Sequence, residues 1–298
     1  VLAGYDGKES RMMSANFLKS GFNRAIPKFK LSLYLWLIMF VISLIIILPL
    51  SFEIRANLGH LAWTEKPLQP FELNLIEILL ADRNLLAAYL VFIITMLLLS
   101  ALLSVFLNGG LFGQMLSPET GVSFRNFLLA GCRHFWQFLL SLIIFIPFLL
   151  VLFLIFRLLS APLEQWSARA VTEWPVLLAS WLSVLLLALL WTAFRLVLDL
   201  ARILVVAESK KVIAAYLSAL RFLSRHFFRL WGLYLLIALA VILISAGWLL
   251  LVRLLSPASP AGLMIILILY QAYILFRLLA RQVLIGVEYS YFSVRKET

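Results

Sequence analysis

"PVLLASWLSVLLLALLWTAF", residues 175–194, carries no charged side chain and runs directly into "RLVLDLARILVVAES", residues 195–209, which carries Arg195, Asp199, Arg202 and Glu208. A helix keeps its backbone hydrogen bonds within itself, so about 20 apolar residues at ~1.5 Å each can cross a hydrocarbon layer of ~30 Å. Residues 175–194 are long enough for that, which sets Arg195 at a membrane boundary with its stem snorkelling. Asp199 lies one helical turn from both Arg195 and Arg202, so one face can hold the carboxylate between two guanidinium groups. The expectation is a helix that leaves the bilayer into water, with exposed pairs of only ~0.3–0.5 kcal/mol each. A deep charge network is the lesser alternative.

Five further runs resemble this one, at 31–52, 86–107, 136–158, 231–252 and 262–280. The chain has 298 residues, 64% of them hydrophobic and 13% charged, far more apolar than the roughly 45–50% of a soluble domain. Its mean hydropathy is +1.06. Barrel strands would show ~10-residue alternating segments instead of long Leu/Ile/Phe/Val runs. The fold class expected is therefore all-α, a polytopic membrane protein with six transmembrane helices. The first run starts near Leu31 and has no small-residue cleavage pattern after it, so it reads as its own insertion signal and not as a signal peptide. A single Cys132 excludes an internal disulfide framework.

Nineteen of the 25 Lys and Arg residues fall on the side that holds both ends of the chain, and six on the other. By the positive-inside rule the N and C termini are cytoplasmic, and the location expected is a cell inner membrane. The same asymmetry accounts for the net charge of +11. Nucleic acid is not an expected partner, because charge beside a span is normally an orientation signal. Anionic lipids are expected partners, along with a membrane protein or a second copy of this chain.

Three stretches precede the odd-numbered runs and resemble one another: "NFLKSGFNRAIPKFKLSL" (16–33), "NFLLAGCRHFWQFLLSL" (126–142) and "YLSALRFLSRHFFRLWGL" (216–233). The first two share N-F-L-x-x-G and a later L-S-L; the last two share R-H-F. Helical spacing groups Phe17, Leu18, Phe22 and Ile26 on one side of the first, with Lys19 opposite and Arg24 at the margin. Each stretch predicts an amphipathic helix lying in the interface plane. The six spans then form three hairpins, each preceded by such a helix: units 12–107, 120–200 and 208–290 in a single membrane domain. Lys19, Arg24, Arg133, Arg225 and Arg229 are the candidate headgroup contacts. "NGGLFGQML" (108–116) spaces Gly109 and Gly113 for close helix packing.

No catalytic set, metal site or cofactor site is read from the residues. His60, His134 and His226 are scattered, and no HExxH or nucleophile elbow is present. The acidic outer loop, with Glu65, Glu72, Glu77 and Asp82, reads as a solvated helix face. No ionisable group falls deep in a run, unlike the pattern of many ion-coupled transporters.

The basic aromatic elbow before the first run, N-G-G-L-F-G at the end of the second and "LDLARILVVAE" after the fourth resemble poorly characterised bacterial six-helix inner-membrane families. They are similar to the membrane domain attached to some glycerophosphodiester phosphodiesterases. The soluble catalytic domain of those enzymes has no counterpart here, so the resemblance implies a membrane module associated with lipids or a partner. The function expected is non-enzymatic, a scaffold or accessory subunit, with a permease or scramblase for a lipid or apolar solute as the alternative.

Overall fold

A computed structural model describes residues 16–58, 83–118, 121–170, 172–255 and 260–296. The carboxylates Glu65, Glu72, Glu77 and Asp82 of the expected outer loop, and His60, lie outside the described residues. The elements are all helical. Helix α1 covers 16–25 and is followed by a 3-10 turn, Ile26–Lys28; then come α2 (Lys30–Leu58), α3 (Arg83–Leu116), α4 (Phe124–Ala168), α5 (Glu173–Ala207), α6 (Val212–Leu254) and α7 (Pro260–Lys296). Six of them, α2 to α7, are long and apolar enough to cross a membrane. Their surfaces agree: Leu154, Trp181, Ile242 and Ile268 all stand exposed. Water would not tolerate so much contiguous apolar surface, whereas lipid does.

The structure joins what the sequence pattern separated. The stretches 126–142 and 216–233, expected as in-plane helices before the spans, lie near the starts of α4 and α6, which continue unbroken for 45 and 43 residues. At ~1.5 Å per residue each exceeds 60 Å, about twice the hydrocarbon thickness. The reason is local: only the first stretch has a proline at its junction, and there Pro27 sits in the 3-10 turn that divides α1 from α2. Helix α5 packs as extensively against α6 as against α4.

The chain divides into two compact units, one of residues 34–105 and one of 1–33 with 106–298. In the smaller unit, Trp36 stacks on Phe40 along α2, and Leu90, Val91, Ile94 and Leu97 of α3 are exposed.

In the larger unit, the start of each early helix packs on the end of another. Helix α4 begins against the end of α3: a Cβ at Gly110 would come within 2.8 Å of the Phe127 carbonyl, and one at Gly113 within 2.7 Å of the Ala130 side chain. Only glycine permits so close an approach. Helix α6 begins against the end of α5, burying Ala215, Ala219 and, on α5, Ala201. Helix α1 in turn lies on the end of α7, where a Cβ at Gly286 would meet the Gly21 carbonyl at 3.0 Å. Each of these three crossings pairs the start of one helix with the end of another. The shared N-F-L-x-x-G takes the same part in two of them, with Phe17 and Phe127 buried and Gly21 and Gly131 at the crossing.

Helix α1 divides its residues between two surroundings. Phe17, Gly21 and Ala25 turn towards α7, while Phe22 and Ile26 are exposed. Large apolar side chains dominate a hydrophobic pattern, but a close crossing selects small ones. Beyond α1, buried Lys28 donates to the carbonyls of Gln114 at 2.7 Å and Ser117 at 2.8 Å. A cation there satisfies the orphan acceptors at the C-terminal end of α3 and complements its dipole.

Candidate functional site

Residues 196–205 of α5 are buried without interruption. From sequence alone the charges here are expected in solvent; the structure instead encloses them in protein. The reason is that α4, α6 and α7 all pack on this segment, so its apolar faces are covered by helices and its charges with them.

Asp199 is fully buried, and its partner is Arg281 of α7. The guanidinium donates from Nη1 to Oδ2 and from Nη2 to Oδ1, both at 2.5 Å. Such a paired fork holds both oxygens of a carboxylate in one plane and so fixes the orientation of two helices. Arg202 is farther off, 3.9 Å from Oδ1, and its guanidinium lies over the Phe138 ring of α4 at 5.4 Å. Arg281 likewise lies over Phe112 of α3 at 5.8 Å. Helices α3, α4, α5 and α7 therefore meet at one charged junction. Arg195 contributes to the field at Asp199 from a greater distance.

Glu288, seven residues or about two helical turns beyond Arg281, is also buried, and neither carboxylate oxygen accepts a hydrogen bond from a described residue. Its surroundings are set by Asp199, Arg281 and Arg195. Burying such a group without a hydrogen-bonded partner is costly. Two members of this junction, Arg281 and Glu288, go unrecognised from the sequence. The available signal was the parallel between "FRLVLDLARILVVAE" (194–208) and "FRLLARQVLIGVE" (276–288).

The remaining candidate residues divide among several places. Gly109 and Gly113 lie against α4 beside Gly131, Ala130 and His134. Arg24 is held over the Tyr289 ring of α7 at 4.4 Å. Lys19 and Arg229 are exposed. Arg133 and His134 line a cavity of about 310 Å³ with Gln114, Ser117 and Asn126. Arg225 and His226 line another, of about 300 Å³, between the end of α5, the start of α6 and the end of α7.

This last cavity is strongly basic. Lys210, Arg221, Arg225, Arg295 and Lys296 surround it against a single carboxylate, Glu208. The turn at 208–211 brings Glu208 and Lys210 there: the Glu208 amide donates back to the Leu204 carbonyl at 3.1 Å, and Ser209 adopts a left-handed φ of +49° that reverses the chain. Lys210 and Lys296 reach the Glu208 carboxylate at 2.8 and 2.5 Å. Burial pushes that carboxyl up, but the hydrogen bonds and charges of the two lysines outweigh it and hold Glu208 below the usual glutamate range.

A third cavity, of about 350 Å³, is wholly apolar and lies between α4, α5 and α6, lined by Pro147, Phe148, Val151, Phe194, Leu223 and Phe227 among others. Among the described residues no group of three or more His, Cys, Asp or Glu side chains is placed to hold a metal ion. The chain matches no family profile, no curated protein and no solved structure with which it was compared, so these sites stand on their own geometry.

Proposed function

We propose that this protein is a non-enzymatic integral module of a cell inner membrane, a scaffold or accessory subunit, whose basic end faces the cytoplasm and holds anionic lipid. One observation carries the proposal. Long helices with lipid-compatible exposed surfaces end in a protein-packed region edged by a cavity with five cations and one carboxylate. A juxtamembrane cation gains about 1 kcal/mol from an anionic surface, so this end has a stated preference among lipids. The charged junction at Asp199 serves as the fastener that keeps the end rigid.

The test is lipid retention. Full-length protein placed in nanodiscs of mixed phosphatidylglycerol and phosphatidylcholine, then released into mild detergent for native mass spectrometry, should keep phosphatidylglycerol in excess of its share in the disc. Retention in proportion to the mixture would overturn the proposal.

A second function is favoured by the apolar cavity between α4, α5 and α6. An open, uncharged recess beside Pro147 suits an acyl chain or another apolar solute, as a permease or scramblase would need. Scrambling above an empty-vesicle control after reconstitution would move the assignment to it.

A further inference from the structure

We propose that the basic cavity between α5, α6 and α7 is a binding site for a phosphate group, presented by a lipid headgroup or as a free ion. The inference rests on the anionic-lipid function proposed above and gives it an address.

The argument starts from how the cations are already committed. Glu208 engages Lys210 and Lys296, and Lys210 also donates to the Ser218 hydroxyl at 3.2 Å. Arg221 and Arg225 have no acidic partner among the described residues. They stand one helical turn apart on α6, both exposed, with Arg229 a further turn along. Like charges at that spacing repel by a few tenths of a kcal/mol per pair. An anion bridging the guanidiniums turns that repulsion into attraction.

Phosphate suits this set better than a carboxylate does. Two planar guanidinium forks are better matched by a terminal phosphate than by a carboxylate's two oxygens: a phosphate monoester, as in phosphatidic acid, offers three terminal oxygens and up to two charges, and free phosphate one oxygen more. The lining also contains Leu204, Phe222 and Phe292, apolar walls that lower the local dielectric and strengthen a charged contact. At about 300 Å³ the cavity has room for more than a phosphate. Phe228, 82% exposed on the neighbouring turn, places apolar helix surface next to the arginines, which is how a headgroup site with its acyl chains outside would be built.

The protein contains its own comparison. Arg133 and His134 occupy the positions of Arg225 and His226 in the repeated R-H-F, and they too line a cavity. Arg133 is the one cation among that cavity's lining residues, the others being neutral side chains such as Gln114, Ser117 and Asn126. The motif is shared, but the cation cluster is not.

The experiment uses full-length protein in detergent and follows the thermal unfolding midpoint as ligand is added. The ligands are inorganic phosphate, a short-chain phosphatidic acid, and a phosphatidylcholine of equal chain length. Phosphatidic acid should raise the midpoint and phosphatidylcholine should not; a rise with inorganic phosphate as well would assign the site to phosphate itself, and its absence would assign it to the headgroup. R221Q/R225Q should weaken the response at least about tenfold, as expected for loss of charge-assisted hydrogen bonds. R169Q/R253Q removes as many cations at exposed positions outside the cavity and should respond as the unaltered protein does. Should the double variant fail to fold, R225Q alone carries the same expectation in reduced size. No response to either phosphate ligand, or an equal response from the arginine variants, would overturn the site. Anionic lipid retained in nanodiscs by R221Q/R225Q as by the unaltered protein would leave the broader function standing and remove only this address.

Discussion

Residues 174–195 and 196–205 belong to one helix, α5, yet they meet different surroundings. Along the first part Ala179 alone is buried; along the second every residue is. Helix α7 repeats the contrast, with exposed Leu263, Met264 and Ile268 on one side of Arg281 and a buried run from Gln282 to Glu288 on the other. In both, the apolar side chains look alike in sequence. What separates them is the neighbour: protein at the basic end, and a surface suited to lipid elsewhere. Lipid tails are as apolar as leucine, so apolar residues in the exposed parts have little to gain by choosing one another. Specific assembly then falls to the end that has glycine crossings, a bidentate ion pair and hydrogen bonds such as that from the Tyr216 hydroxyl to the Ser141 carbonyl at 2.9 Å.

The contrast predicts unequal responses to substitution. Asp199→Ala should have the largest effect, because it leaves the Arg281 guanidinium enclosed without its partner; losses of about 3–5 kcal/mol are typical of breaking one side of a buried pair. Size-exclusion chromatography should show loss of the monodisperse species, and an unchanged profile would mean that the packed end does not depend on the junction. A matched pair of leucines comes next. Leu200 is fully buried and Leu185 is 54% exposed on the same helix, so Leu200→Ala should cost about 2–5 kcal/mol and Leu185→Ala no more than about 0.5 in denaturation followed in detergent. Equal costs would erase the distinction between the two parts.

The smallest effect concerns acid. Glu208 titrates below the ordinary glutamate value in the native state, so its contribution is fully present above pH near 4.5 and is lost as pH falls through the lowered native value. Since Lys296 is 60% exposed and Lys210 37%, screening keeps that contribution small. Glu208→Gln should flatten the acid limb of a stability profile by lowering stability slightly near neutrality, the two proteins converging at low pH.

The six long helices were legible because length and hydropathy suffice to define them. Asp199 with Arg202 was legible from helical spacing. Its main partner was not: Arg281 lies 82 residues away, and no local pattern says which helices meet. Burial of 196–205 was hidden for a related reason, since a segment apolar on several faces can be covered by lipid or by protein. The continuity of α4 and α6 could have been read from the lack of a proline at their junctions, a signal weaker than the change in composition that suggested a boundary. On α1, the small residues Gly21 and Ala25 lie on the buried side and Phe22 and Ile26 on the exposed one, and only the larger pair stands out in a hydrophobic pattern.

The crossing of α1 over α7 has a consequence for biogenesis. The Ser20 and Ser290 hydroxyls hydrogen-bond at 2.9 Å across 270 residues of chain, and Phe17 rests on Tyr291 with ring centroids 5.1 Å apart. During synthesis the α1 surface is made 270 residues before its docking site on α7. Non-local closure of this kind is slow compared with local helix pairing, so the Gly21 face stays uncovered while the residues between are made. A ribosome stalled before α7 would leave that face without its native seat, and quality-control proteases would meet it there.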